Sequence, residues 1–140
     1  SWGPQLRGGD VVRAPFPRVA EAPVDPRDLA AVAARALVDD DLVGRKLVLT
    51  GPESLTHEQL VATIGHVLGR ELRFVPVDAT AAAAGMVAHG QRPEFVAALM
   101  ARYEREDGKP ALVTGDVAKV LGRPARTFAE WVADHADLFR

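Results

Sequence analysis

The sequence has 140 residues, 48% hydrophobic and 26% charged, with a net charge of −2 and no cysteine. That is the length of one ordinary domain, and the composition is that of a globular chain rather than a disordered one. Zero cysteines exclude disulfides, thiolate metal sites and a cysteine nucleophile, and the scattered basic residues leave no electrostatic footprint for nucleic acid or an anionic membrane.

No apolar run reaches bilayer length, and the expected location is the cytoplasm. The chain begins at Ser1, and its methionines are Met86 and Met100, so it reads as a processed or partial piece. Residues 1–23 carry Pro4, Pro15, Pro17, Pro23 and three glycines. This punctuation predicts a turn-rich lead-in with a short strand near Val11-Val-Arg13. Asp25 then caps a helix with Pro26 at its first position and Asp28 near its exposed amides. Leu29, Val32, Ala33, Ala36 and Leu37 give that helix an apolar face as far as Asp39. Lys46-Leu-Val-Leu-Thr50 reads as a short buried strand, and Gly51-Pro52 turns the chain out of it.

Thr56 and Gln59 form a capping box for a helix lined by Leu60, Ile64, Val67 and Leu68, with Gly69 as its C-terminal cap. Leu72–Val77 is a second strand, placed at an edge or a strand end by Pro76. Helices follow over Ala79–His89, from Pro93 through Tyr103, and from Asp116 to Leu121. Thr127 and Glu130 make a second capping box that opens a terminal helix bearing Phe128, Trp131, Val132 and His135. The alternation predicts a helix-rich α/β fold with two or three short strands, each contributing to a sheet whose centre lies elsewhere.

Several residues invite a chemical reading that simpler roles already cover. Gly51-Pro-Glu-Ser54 has the look of an anion loop, but Glu53 would repel a phosphate and the turn explains every residue. His57, His66, His89 and His135 match no common metal spacing and read as surface or packing residues, with His135 placed to pack on Trp131. Asp25 and Asp28, like Glu58 and Glu130, are explained by helix starts and the helix dipole. No catalytic residue and no metal ligand emerges.

In order and spacing these elements resemble the C-terminal portion of the NmrA-like branch of atypical short-chain dehydrogenases/reductases. The residues that carry the resemblance are Pro23-Val-Asp-Pro-Arg-Asp-Leu-Ala30, Leu49-Thr-Gly-Pro-Glu-Ser-Leu-Thr56, the Leu68-Gly-Arg70 helix end and Gly122-Arg-Pro-Ala-Arg-Thr-Phe-Ala-Glu-Trp131. The resemblance implies an NAD(P)-dependent, Rossmann-type oxidoreductase acting on a small organic molecule. Its N-terminal half would bind the cofactor, and the C-terminal part would complete the sheet and cover the substrate. On this reading residues 1–23 cross from a missing N-terminal half and residues 24–140 form the substrate-side subdomain. The family's glycine-rich turn is absent, since Arg7-Gly8-Gly9-Asp10 lacks the strand and helix that would flank it. The Tyr-x-x-x-Lys pair is absent too, because Asp107 stands four residues after Tyr103.

No cofactor-binding residue is therefore expected here, and the chain alone is expected to be inactive and to bind no cofactor. The resemblance places Met86, His89, Phe95, Met100 and Tyr103 as a substrate wall, with helix core as the competing role. It places Trp2 and Phe16 beside the cleft, with anchoring to the core as an equal alternative, while Trp131 and Phe128 read by themselves as anchors of the terminal helix. Other readings are an NAD(P)-sensing protein without catalysis, and a shortened interaction module that pairs with a partner subunit or with itself.

Overall fold

The computed structural model describes residues 2–140. The lead-in folds as a short helix α1 (Gly3–Arg7), strand β1 (Val11–Ala14) and strand β2 (Ala20–Glu21). Helix α2 (Pro26–Val38) starts as its sequence dictates: the Asp25 carboxylate accepts from the Arg27 amide, and Pro26 sits where no amide is needed. A 3-10 turn at Asp40–Leu42 leads to an extended segment, then to strand β3 (Leu55–Thr56) and helix α3 (His57–Leu68). The Thr56 and Gln59 side chains exchange bonds with each other's amides, and Gly69 closes the helix at φ 67°. Strand β4 (Arg73–Pro76) follows, then an antiparallel-type hairpin of α4 (Ala79–Ala88) and α5 (Pro93–Glu106). Helices α6 (Asp116–Leu121) and α7 (Phe128–Asp134) complete the set with a final 3-10 turn at Ala136–Phe139. The second capping box, Thr127 with Glu130, is present as expected.

The architecture is helix-rich α/β, with strands in two small ladders. β1 and β4 run parallel, Val11 opposite Arg73 through Ala14 opposite Pro76, while β2 and β3 run antiparallel. Pro76 ends its strand, as expected of a residue with no amide to donate. The Lys46–Thr50 strand is not formed. Its hydrophobic pattern is real, since Leu47 and Leu49 pack inward on Val32, Val117 and Val120 while Val48 faces out. Its backbone, however, meets side chains instead of a ladder: the Val48 amide donates to Asp116 at 2.9 Å, and the Thr114 hydroxyl donates to the Val48 carbonyl. A strand needs a neighbouring strand, and among the described residues this segment has none.

One core cluster joins Leu6, Val12 and Ala14 of the lead-in to Val61, Ile64, Val132 and Phe139. Trp131 and Phe128 pack against it, and His135 stacks on Trp131 with ring centres 4.6 Å apart. Arg70, directly after the Gly69 cap, ties this corner together. Its guanidinium donates to the carbonyls of Leu6, Gly9 and Phe139 and pairs with Asp10 at 2.6 Å.

Two expectations for α2 need correction. Asp28 stands in the first turn as expected, but its carboxylate serves distant groups: it is fully buried, bonded to the Arg126 amide at 2.7 Å and paired with the Arg123 and Arg126 guanidinium groups. Nor is the whole apolar face buried, for Val32 is 3% exposed and Leu37 is 86% exposed. Burial pushes the Asp28 carboxyl up, but the Arg126 amide and the two guanidinium groups prevail and hold it below its ordinary range.

A carboxylate with a depressed pKa stabilises the fold above its unfolded pKa, and that stabilisation is lost as pH falls through the folded value. Asp28→Asn should therefore cost about 3 kcal/mol at neutral pH and flatten the acid limb of a stability-against-pH curve from urea unfolding. Gly51 is a second sensitive point, because a Cβ there would lie 1.7 Å from the Pro23 carbonyl oxygen. Gly51→Ala should destabilise by at least about 2 kcal/mol, read as a lowered urea midpoint.

Candidate functional site

Helix α3 presents more than a core face. His57 at its first position shares the helical stripe of Leu60, Val61 and Ile64, and it is only 5% exposed. Its amide donates to the Val19 carbonyl at 2.9 Å, which fixes the ring beside β2. Nε2 faces Glu21 Oε1 at 3.5 Å, while the buried Nδ1 has no hydrogen-bond partner. The same Glu21 oxygen accepts from Arg102 Nη2 at 2.7 Å. The Arg102 guanidinium in turn lies 5.1 Å from the centre of the Tyr103 ring.

Aromatic rings enclose this polar group. Trp2 and Tyr103 meet the imidazole edge-on, with centres 5.8 and 5.0 Å away, and Phe16 lies against Tyr103 at 5.8 Å. Phe16 holds that position at φ 53°, a left-handed conformation uncommon for an aromatic residue. The His57 imidazole holds the Glu21 carboxyl below its ordinary range; burial opposes this and Arg102 adds to it. Burial pushes the Tyr103 phenol up, so Tyr103 stays protonated at neutral pH. Strain, a buried polar atom without a partner and a shared carboxylate thus meet in one place, which is the pattern of a functional site.

Of the residues placed on the substrate wall, this cluster takes in Tyr103. Met86 and Met100 are half-buried in the α4–α5 hairpin, and Phe95 is exposed on α5. His89 ends α4 in the open, its Nδ1 at 2.7 Å from the Gly85 carbonyl. Trp2 and Phe16 do lie beside the cluster. Glu21 and Arg102 were not legible in the sequence, being 81 residues apart. The spacing of His57 to Leu60, Val61 and Ile64 is the signal that places it on the buried face, a more definite place than the surface or packing role expected of it.

A separate groove of about 260 Å³ opens between the start of α2 and the start of α7, lined by Pro23, Val24, Phe128 and Trp131. Its polar groups are already engaged, Asp25 with Arg27 and Thr127 with Glu130. Among the described residues no cluster of His, Asp and Glu could hold a metal ion, and no helix is long and apolar enough to cross a membrane. The segment from Gly8 to Asp10 leads directly into β1 rather than into a helix, so it forms no dinucleotide cradle.

No protein-family model matches the chain. It is 40% identical over 139 residues to the (4-alkanoyl-5-oxo-2,5-dihydrofuran-3-yl)methyl phosphate reductase of Streptomyces griseus, covering 99% of this chain and 49% of that protein. It is 34% identical to the NAD(P)H azoreductase of Xenophilus azovorans, covering 83% of this chain and 41% of the relative. Its fold matches an NADPH-dependent quinone oxidoreductase from Escherichia coli, with TM-score 0.79, 21% identity, and coverage of 96% of this chain and 50% of the other. A Citrobacter triphenylmethane reductase complexed with NADP(H) matches with TM-score 0.75 and 18% identity, over 95% of this chain and 46% of that one.

The chain matches the C-terminal portion of the NmrA-like NAD(P)-dependent reductases. It spans about half the length of the curated relatives it matches. The Glu21–Arg102 pair is half exposed, so its coupling is modest. A double-mutant cycle of Glu21→Gln and Arg102→Met should give a coupling of about 0.5–1 kcal/mol in urea unfolding.

Proposed function

We propose that this chain is the substrate-side portion of an NAD(P)H-dependent reductase that acts on a small conjugated molecule. The observation that carries the reading is the 40% identity, along 99% of the chain, to a reductase of an unsaturated lactone ring. The azo- and quinone-reducing relatives support the same class of electron-poor acceptor. The nicotinamide cofactor supplies the hydride when bound. In this reading the cofactor falls to the portion of such a protein that this chain does not match, since Gly8–Asp10 leads into a strand rather than into a helix.

That portion would also cover apolar side chains that stand in water here. Leu37, Val38 and Val43 are 86%, 82% and 75% exposed, and Val48 and Leu112 stand out beside them in exposure. A monomer rarely leaves so many large apolar groups uncovered without an interaction to account for them. The lead-in up to residue 23 serves in this reading as the crossing between the two portions. Met86, Phe95 and Met100 line the outer part of the substrate cover, with His89 at its tip, and Tyr103 stands at its inner end.

Joining this chain to the unmatched portion of the Streptomyces griseus reductase tests the proposal. The fusion should oxidise NADPH in the presence of a conjugated carbonyl acceptor, while this chain alone should not. A folded fusion that binds NADPH yet leaves lactone, azo and quinone acceptors unreduced would sink the reductase reading and favour a cofactor sensor.

A further inference from the structure

An extended segment has two edges, and strands β1 and β4 close their outer ones. On β1 both outward groups of Arg13 are taken by Gln5, whose side-chain amide donates to the Arg13 carbonyl at 3.1 Å. The Gln5 side-chain oxygen accepts from the Arg13 amide at 2.8 Å. On β4 the Arg73 and Val77 amides turn towards β1 and donate to the Asp10 and Ala14 carbonyls, so Pro76 falls on the outward register. A proline there offers no amide to a further strand. Devices of this kind blunt an edge that would otherwise take another chain.

The Lys46–Thr50 segment is closed along one edge only. Both main-chain groups of Val48 are used, the amide by Asp116 at 2.9 Å and the carbonyl by the Thr114 hydroxyl. In extended backbone, successive residues turn their amide and carbonyl to opposite edges, so those of Leu47 and Leu49 point away from Asp116 and Thr114. Among the described residues these four groups have no hydrogen-bond partner. Two residues beyond Leu49, the Gly51 amide does find a main-chain acceptor, the Ala22 carbonyl at 3.1 Å, before Pro23 carries the chain off towards α2. Apolar surface flanks the open stretch. Val48 stands out from its own segment, and Leu112 and Val113 stand out from the segment that Thr114 ties to Thr50. Open main-chain groups and apolar side chains are the two components of strand addition, the ladder giving affinity and the side chains giving selectivity.

We propose that the edge of Leu47 and Leu49 is an interaction surface that receives one β-strand, main chain to main chain, from the portion of the longer protein that this chain does not match. The Streptomyces griseus relative, matched along 99% of this chain and 49% of its own length, carries about as much chain again outside the match. The arriving strand bonds to the amides and carbonyls of Leu47 and Leu49 and carries apolar side chains on the face it shares with Val48. Asp116 and Thr114 act as clamps that hold the receiving edge straight before the strand arrives. This docking rests on the second portion invoked in the proposed function, and adds which edge receives it and by which bonds.

The experiment follows amide hydrogen exchange by NMR in this chain, labelled with nitrogen-15 leucine and valine, and in the fusion described above. In the chain alone the Leu47 and Leu49 amides should exchange faster than that of Val48. In the fusion, once its melting curve shows it folded, Leu47 and Leu49 should slow by at least about 100-fold relative to Val48. Unchanged exchange at Leu47 and Leu49 in the folded fusion would overturn the proposal. Equal slowing of all three amides, the mark of general burial, would overturn it too. Protection already present in the chain alone and lost on dilution would give the edge to a second copy, and protection that survives dilution would mean a closed edge; either result sinks the idea. Should the fusion not fold, the amides aligned with Leu47 and Leu49 in the intact Streptomyces griseus reductase decide, by whether they are protected. Acceptor turnover reports on the reductase reading separately, so a fusion that turns over with both amides unprotected refutes the strand docking alone.

Discussion

A carboxylate with no access to water has to be neutralised by groups fixed around it, and Asp28 imposes that requirement on this fold. Its partners, the Arg123 side chain and the Arg126 amide and guanidinium, come from the loop between α6 and α7. Satisfying one buried charge therefore sets where α2 meets the final third of the chain. Arg27 extends the arrangement, bridging Asp25 of the α2 cap to Asp134 at the end of α7. With this corner fixed, Val32, Val117 and Val120 close into the second core cluster.

The other cluster is organised by α3. One helix supplies Val61 and Ile64 to the core and, a turn earlier on the same stripe, His57 to the aromatic site. The site is thus mounted on a rigid element, as a positioned chemical group should be. Its cover is mounted differently. The α4–α5 hairpin contributes Tyr103 and Arg102 to the site but little to either core cluster. The fold separates a firm floor, made by α3, β2 and the lead-in, from a lightly fastened roof. Such low-burial elements are the ones that open first.

The exposed apolar residues of α2 and of the segment around Val48 belong to the same logic. Leu47 and Leu49 are partly buried while Val48 is 47% exposed, so the segment has the alternation of a strand and only one covered face. Side chains of Asp116 and Thr114 hold its backbone straight in place of a ladder. The other face of this segment is left uncovered among the described residues.

Most helices and their capped ends were legible in the sequence, the short helix α1 of the lead-in being the exception. A capping box closes within three residues, and a helical hydrogen bond within four, so Thr56–Gln59, Thr127–Glu130, Asp25 and Gly69 carry their own instructions. The family likeness was legible for the same reason, since it rests on the order of such local signals. Tertiary structure alone decided the pairings between distant residues. Nothing near Asp28 in the chain announces Arg123 or Arg126, and nothing near Glu21 announces Arg102. It also decided that Lys46–Thr50 would be extended without being a strand, because a ladder is a property of two segments and no described segment pairs with this one. The sequence by itself thus determined where the capped helices α2, α3 and α7 begin, but not the short helix α1 of the lead-in nor how much of each apolar face would be buried. Which charges meet, and that a histidine on a buried face would be left with one unpaired nitrogen, depended on long-range packing that no local signal encodes.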